Sequence, residues 1–259
     1  MANVYSIDLE KGSTQYLEAN DSVSLSPTGD LTIEMWVKFE SLPGPATSTY
    51  YYYLAKRQTT NSYGLFTDYN NLSAGNYTLG MYINNGGGNF FYQILGTPSL
   101  GQWYHLAASF DASAATVEFM VDGISIGTHN IGGVTSIADT DSTVCIGHSG
   151  SGAFDFDGLI DEVRIWDITR TAAEINTNKA VMIDSASGLK ASWHLENGLT
   201  DSSGNSNTLT NVNSAVFSTD VPFSGVTTYI KKVSGVAYAG IKKITGVAIA
   251  NVKRIIGLG

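Results

Sequence analysis

Asp157-Gly-Leu-Ile-Asp-Glu-Val-Arg-Ile-Trp-Asp-Ile-Thr-Arg-Thr-Ala-Ala-Glu-Ile175 is the stretch whose reading decides the fold. It reads as a β-strand that runs into a short Ala-rich helix. Thr171 stands as an N-cap and Glu174, three residues on, as its capping-box partner, so a helical turn is predicted within 169–176. Asp161 and Glu162 are neighbours, and regular strand alternation sends them to opposite faces.

Other segments supply further strands. In Leu31-Thr-Ile-Glu-Met-Trp-Val-Lys-Phe39, residues Leu31, Ile33, Met35, Val37 and Phe39 take one side and Thr32, Glu34, Trp36 and Lys38 the other. The first side is core; the second, charged with one large aromatic, is expected to line a solvent-facing concave sheet. Gly101-Gln-Trp-Tyr-His-Leu-Ala-Ala-Ser-Phe-Asp111 is a further strand, and Val117 to Val121 alternates into Asp122-Gly123, a hairpin signal. These four motifs, in this order, resemble the laminin-G-like domains of the concanavalin A-like jelly-roll group over residues 1–182. The resemblance implies an all-β, two-sheet antiparallel jelly-roll sandwich with a short helix after the motif strand. Gly188-Leu-Lys-Ala-Ser-Trp-His-Leu-Glu-Asn-Gly-Leu-Thr-Asp-Ser-Ser-Gly-Asn-Ser-Asn207 resembles a phrase that opens such domains. Too few residues follow for a second domain, so residues 183–225 are expected to add strands to the first, with 201–205 as a tight turn.

Composition agrees with a β-rich globular chain. Of 259 residues, 43% are hydrophobic and only 14% charged, with 28 glycines for tight turns. The single cysteine, Cys145, excludes an internal disulfide and lies in a predicted strand as a buried thiol. The N-terminus has neither a basic nor an apolar signal region, and no apolar run is long enough to span a bilayer. The expectation is assembly in the cytoplasm or a leader already removed.

Charge divides the chain at 225. All 23 acidic residues and 8 of the 14 basic ones precede Val226; the remaining 34 residues carry six Lys and Arg and no acid. That tail repeats every eleven residues: Ile230-Lys-Lys-Val-Ser-Gly, Ile241-Lys-Lys-Ile-Thr-Gly and Val252-Lys-Arg-Ile-Ile-Gly. An eleven-residue period suits a right-handed helical supercoil. The glycines and β-branched residues favour short β-strands instead. Units this short need neighbours to stack upon, so residues 226–259 are predicted to dock or oligomerise through Ile230, Val233, Ile241, Ile244, Val252 and Ile255. The tail resembles those of laminin-G-like proteins from phage and uncultured bacteria.

No catalytic residue is predicted. Glucanases on this fold need paired carboxylates at strand spacing, and the Glu-x-Asp-x-Glu patterns are absent. His105, His129, His148 and His194 show neither metal-ligand nor triad spacing. The resemblance makes structural Ca2+ a candidate cofactor. Asp161, Asp155 and Asp157 are the candidate ligands, because a hard cation takes oxygen donors. Sugar binding, or a subunit interface, needs aromatic platforms flanked by polar groups. The candidates are Tyr51, Tyr53, Tyr69, Tyr77 and Tyr92, with Asn84, Asn85, Phe90 and Phe91 nearby; Tyr50 and Tyr52 take the strand face opposite Tyr51 and Tyr53.

The combined reading is a non-enzymatic display protein, a sandwich carried on a multimeric particle such as a phage virion surface, as a decoration or fibre component. Its partners are other copies or a larger protein assembly reached through the tail, with nucleic acid disfavoured. The alternative is a carbohydrate-binding adhesin at a bacterial cell surface, and the third a glycan-active enzyme.

Overall fold

The computed structural model describes residues 2–44, 50–57, 60–70, 76–150 and 155–223. The assembly residues Ile230, Val233, Ile241, Ile244, Val252 and Ile255 lie outside these. In chain order the elements are β1 (Ser6–Leu9), β2 (Tyr16–Ala19), β3 (Leu31–Phe39), β4 (Tyr50–Lys56), β5 (Tyr63–Asn70), β6 (Asn76–Ile83), β7 (Asn89–Gly96) and β8 (Trp103–Asp111). There follow β9 (Thr116–Val121), β10 (Ile124–Asn130), β11 (Val144–Ile146), β12 (Gly158–Trp166), α1 (Ala172–Asn178), β13 (Leu189–Trp193), β14 (Thr210–Val212) and β15 (Val216–Ser218).

Two antiparallel sheets form a jelly-roll sandwich. The first has the order β10-β9-β8-β3-β12-β1-β15, with β13 also paired to β12; the second is β14-β2-β11-β4-β5-β6-β7. The alternating apolar residues of β3 face the core with Leu17, Tyr53, Leu65, Met81, Leu106, Phe119 and Ile160. Burying each such side chain stabilises the fold by about 1.5–3 kcal/mol. Residues 189–218 complete both sheets: β13 pairs β12, β14 pairs β2 and β15 pairs β1. The 201–205 turn forms with Gly204 at φ 89°, and Asp201 accepts from the backbone of Ser192, Ser203 and Asn207.

Two local predictions hold in detail. Thr171 and Glu174 make the reciprocal capping box at the start of α1. Asp122 (φ 53°) and Gly123 (φ 74°) form a β9–β10 turn with two positive φ values, the geometry that matches strand twist. Gly123 has a second reason to lack a side chain, since a Cβ there would lie 2.5 Å from the Cα of Asn176 in α1.

The second side of β3 departs from expectation. Thr32 and Glu34 are fully buried and Trp36 nearly so, because the chain after β12 folds back over this face. The Trp36 indole donates to Lys179 O at 2.6 Å, Thr32 Oγ1 donates to Ile168 O at 2.8 Å, and Ile175 packs on Ala107 and Met120. Residues 168–184 are thus a roof over the first sheet, and this face is not solvent-lined.

Beneath the roof lies a buried polar network. Arg164 Nη2 donates to Glu162 Oε2 at 2.7 Å and Trp166 Nε1 to Glu34 Oε1 at 2.8 Å, while the Arg170 guanidinium lies 4.0 Å above the Trp166 ring. His194 bridges Glu162 (3.0 Å) and the roof residue Asp184 (2.8 Å). Burial pushes the Glu34 carboxyl up, and His105, Arg164 and Arg170 more than offset it, so Glu34 is held well below the usual carboxylate range. His105 stands 3.3 Å from Glu34 without a directed hydrogen bond. Burial lowers its pKa, and the Glu34 carboxylate opposes that shift.

Adjacent Asp161 and Glu162 do not obey simple alternation either. A bulge opposite β3 falls between Asp161 and Arg164, and Glu162 takes φ 50°. Asp161 pairs in register with Trp36, and Glu162 reaches Arg164 and His194 beneath the same roof. The extra residue marks the point where the partner of β12 changes from β1 to β13.

Candidate functional site

The outward face of β4–β7 in the second sheet carries a cluster of its own, with Tyr52, Phe66 and Tyr82 buried in it, Tyr50 and Tyr92 partly buried, and Phe90 and Ile94 exposed on β7. Register fixes its composition. Across β4, β5, β6 and β7, one row reads Tyr50, Asp68, Thr78, Ile94; the next Tyr52, Phe66, Gly80, Tyr92; the third Ala55, Gly64, Tyr82, Phe90. Six of these twelve positions carry aromatic rings. Residues that alternate with them, among them Tyr51, Tyr53, Leu65, Leu79 and Met81, enter the core.

Two glycines let the rings lie on the backbone. The Phe66 ring covers Gly80 so closely that a Cβ there would sit 2.4 Å from it, and Tyr52 lies 3.3 Å from the Cβ position of Gly64. Above Phe66 the rings of Tyr50, Phe90 and Tyr92 stand nearly parallel: Tyr50 and Phe90 are 6.3 Å apart at 21°, Phe90 and Tyr92 6.3 Å at 11°. Phe66 meets Phe90 and Tyr92 edge-on at 5.9 and 5.6 Å. Tyr50 and Phe90 begin on strands three apart, so their side chains lean inward over the middle of the sheet. Phe90 is 40% and Ile94 50% exposed, large values for apolar side chains. Gly80→Ala is expected to destabilise the fold by about 1–3 kcal/mol through overpacking and to displace Phe66. Urea unfolding and the near-ultraviolet circular dichroism of the tyrosines check both effects.

Charged groups flank the rings at two ends. The Arg57 guanidinium packs 5.1 Å from the Tyr52 ring and 4.9 Å from that of Tyr82, donates to the Tyr52 hydroxyl, and reaches Asn61 Oδ1 at 3.2 Å. Asp68, half-buried beside Tyr50, is pushed up to about 6 by burial. It is the one carboxylate in the twelve-position grid, whereas glycoside hydrolysis takes two. Glu34 and Glu162, the acids nearest to a catalytic pattern, are locked to Arg164 and Trp166 under the roof.

The structure redistributes the predicted site residues. Tyr51 and Tyr53 are core, 2% and 0% exposed, and are corrected from surface candidates to packing residues. Their alternates Tyr50 and Tyr52 point to the aromatic face, where Tyr50 is partly buried and Tyr52 fully so. Tyr69 and Tyr77 are cross-strand partners, ring to ring at 5.3 Å, on the core-side alternation at the end of β5 and β6. Tyr92 alone of the five lies on the aromatic face, partly buried. Phe66, Tyr82, Arg57 and Asp68 were not singled out by sequence; the available signal was Gly64 and Gly80, isolated glycines within strands, which indicate close approach.

The predicted calcium ligands do not converge. Asp161 is buried, accepts from Asn3 at 2.8 Å, and is raised by burial and by Glu162 well above an ordinary carboxylate. Asp155 pairs with His148 at 3.4 Å, and Asp157 accepts from the Lys11 backbone at 3.1 Å. Among the described residues, the acids whose oxygens approach within 4.8 Å of one another are Asp8, Glu10 and Glu40. Burial and the neighbouring acids, Asp157 among them, raise the pKa of Asp8 and Glu40, with Lys38 opposing the shift at Glu40. An all-oxygen set of this kind suits Ca2+.

A two-sheet jelly roll with one roofed face and an aromatic cluster on the other defines the class of fold. Residues 11–176 match the family described as the concanavalin A-like lectin/glucanases superfamily, and the chain belongs to it. Among solved structures, a native heptameric SAP-like pentraxin from Limulus polyphemus is similar at 18% identity and a TM-score of 0.61, over 83% of this chain and 94% of that one. A putative carbohydrate-binding protein from Bacteroides ovatus is similar at 15% identity and a TM-score of 0.65, over 84% of this chain and 60% of its own length. At such identities the likeness is one of fold. No curated protein matches the chain. Among the described residues no helix is long and apolar enough to cross a membrane.

Proposed function

We propose that this chain is a non-enzymatic display protein whose sandwich recognises carbohydrate on the aromatic face of β4–β7. The observation that carries the reading is the ring grid itself, exposed at Phe90 and partly at Tyr50 and Tyr92 over a buried floor of Tyr52, Phe66 and Tyr82, with Arg57 at one end and Asp68 its single carboxylate. Apolar sugar faces stack on rings while hydroxyls take directed hydrogen bonds, and Asp68 is the acceptor in reach of Tyr50 and Tyr92. The phage virion surface, or an anchored adhesin outside a bacterial cell, supplies the setting. The basic eleven-residue repeat at 226–259 supports a docked or multimeric placement in either case. The candidate Ca2+ site is Asp8, Glu10 and Glu40, and Ca2+ is expected to raise Tm in the wild type and not in Glu10→Gln.

A glycan array probed with the full chain tests recognition. Phe90→Ala/Tyr92→Ala is expected to weaken the best ligand by about 30-fold or more, as loss of aromatic anchors does. Hydrolysis of that glycan would replace the reading with an enzymatic one.

The pH dependence follows from Asp68. Its folded pKa near 6 exceeds that of the unfolded chain, so the folded state binds the proton more tightly and this group's contribution to stability declines as pH rises from about 4 to 6. The carboxylate form is the better acceptor for sugar hydroxyls. Affinity is therefore expected to rise between pH 5 and 7 and to become flat in Asp68→Asn, read by titration calorimetry.

A further inference from the structure

The four sheet edges differ in kind. β14 and β15 are three residues long, and β10 is interrupted by a register shift between Ser125 and Gly127. Short strands and bulges are how sheets prevent edge-to-edge pairing. The edge strand β7 runs eight residues, Asn-Phe-Phe-Tyr-Gln-Ile-Leu-Gly, pairs with β6 on one side, and keeps regular register from Asn89 to Ile94. None of its residues is buried.

Charge sets β7 apart more sharply. Residues 69–110 contain no Asp, Glu, Lys or Arg in 42 positions, whereas the chain's average density of 14 basic and 23 acidic residues in 259 would place about six there. Lysines, inward charges and prolines, the usual blocks on an edge strand, are all missing from β7. The body as a whole carries 23 acids and 8 bases, a net charge that opposes association of two copies at low salt. Across β7 two copies meet with no charge to desolvate.

We infer that the β7 edge is a homotypic interface: two copies of this chain add β7 to β7 antiparallel about a two-fold axis. The free N–H and C=O groups of one β7 pair with those of its mate, and an isologous contact of this kind closes as a dimer. The axis stands perpendicular to the joined sheet, so both aromatic faces lie on the same side. Phe90, Tyr92 and Ile94 then flank the seam, and the half-exposed Ile94 gains cover. This contact is independent of the C-terminal repeat.

Light scattering on the full chain over a concentration series, with Ile94→Lys beside it, tests the inference. Ile94 is half exposed, so a lysine there is compatible with the fold, and an unchanged circular dichroism spectrum and Tm confirm it. The expected result is that the variant halves the particle mass at a fixed concentration. A wild-type chain that stays monomeric, or an assembly whose mass Ile94→Lys does not change, overturns the inference. Single cysteines at Phe90, Tyr92 and Ile94 give a second reading, since Cys145 is buried. On oxidation one of the three should cross-link to its own copy in preference to the others. Equal or no cross-linking along the strand excludes the pairing.

Discussion

Arg164→Met is expected to lower the unfolding free energy by about 3–5 kcal/mol, because it removes the cation from a buried pair and leaves the carboxylates behind. Arg164 is wholly buried; its guanidinium serves Glu162 at 2.7 Å, approaches Glu34 at 3.7 Å, and binds the roof carbonyls of Asn178 and Val181. One substitution thus strands two acids and loosens residues 168–184. For a domain of this size the loss corresponds to a fall in Tm on the order of 10 °C. Equilibrium urea unfolding measures it. If the cause is stranded charge, adding Glu162→Leu should recover part of the loss. A single variant within about 1 kcal/mol of wild type would mean that the roof is held by packing alone.

Trp193→Ala is expected to destabilise by a similar amount, about 3–5 kcal/mol, through the cavity it leaves. The indole is fully buried between the sheets and donates to Asn207 O at 2.7 Å. Asn207 in turn accepts from Ser22 and Ser24 and donates to Asp201 and Lys190. The effect would show that residues 189–218 are integral to the sandwich. Loss of a separate, minor unfolding transition with the main one unchanged would show instead that this segment is an appendage.

What the sequence disclosed, and what it hid, follow from the range of the interactions. The α1 capping box, the Asp122-Gly123 turn and the inward side of β3 depend on residues within a few positions, so local pattern carries them. The roof does not. That Glu34 is buried rather than wet depends on the chain after β12 returning across β3, a contact more than a hundred residues distant in sequence. The bulge at Glu162 was equally hidden, because a glutamate at φ 50° has no residue-type signal of the kind a glycine would give. Alternation divided Tyr50 to Tyr53 correctly into two pairs but was silent on which pair entered the core; the answer lay in Gly64 and Gly80, whose missing side chains make room for rings on the outer face. The charge-free run of residues 69–110 was present throughout, and becomes meaningful once β7 is known to be an edge.

Carbohydrate recognition on β4–β7 is the central claim, and chemical-shift mapping tests it most directly. The labelled full chain would be titrated with the oligosaccharide that binds best on the array. The account predicts perturbations concentrated at Tyr50, Asp68, Phe90 and Tyr92, with Trp36 and the roof residues Ile175 and Asp184 unmoved. Shifts centred on Asp8, Glu10 and Glu40, or none at saturating ligand, would contradict it.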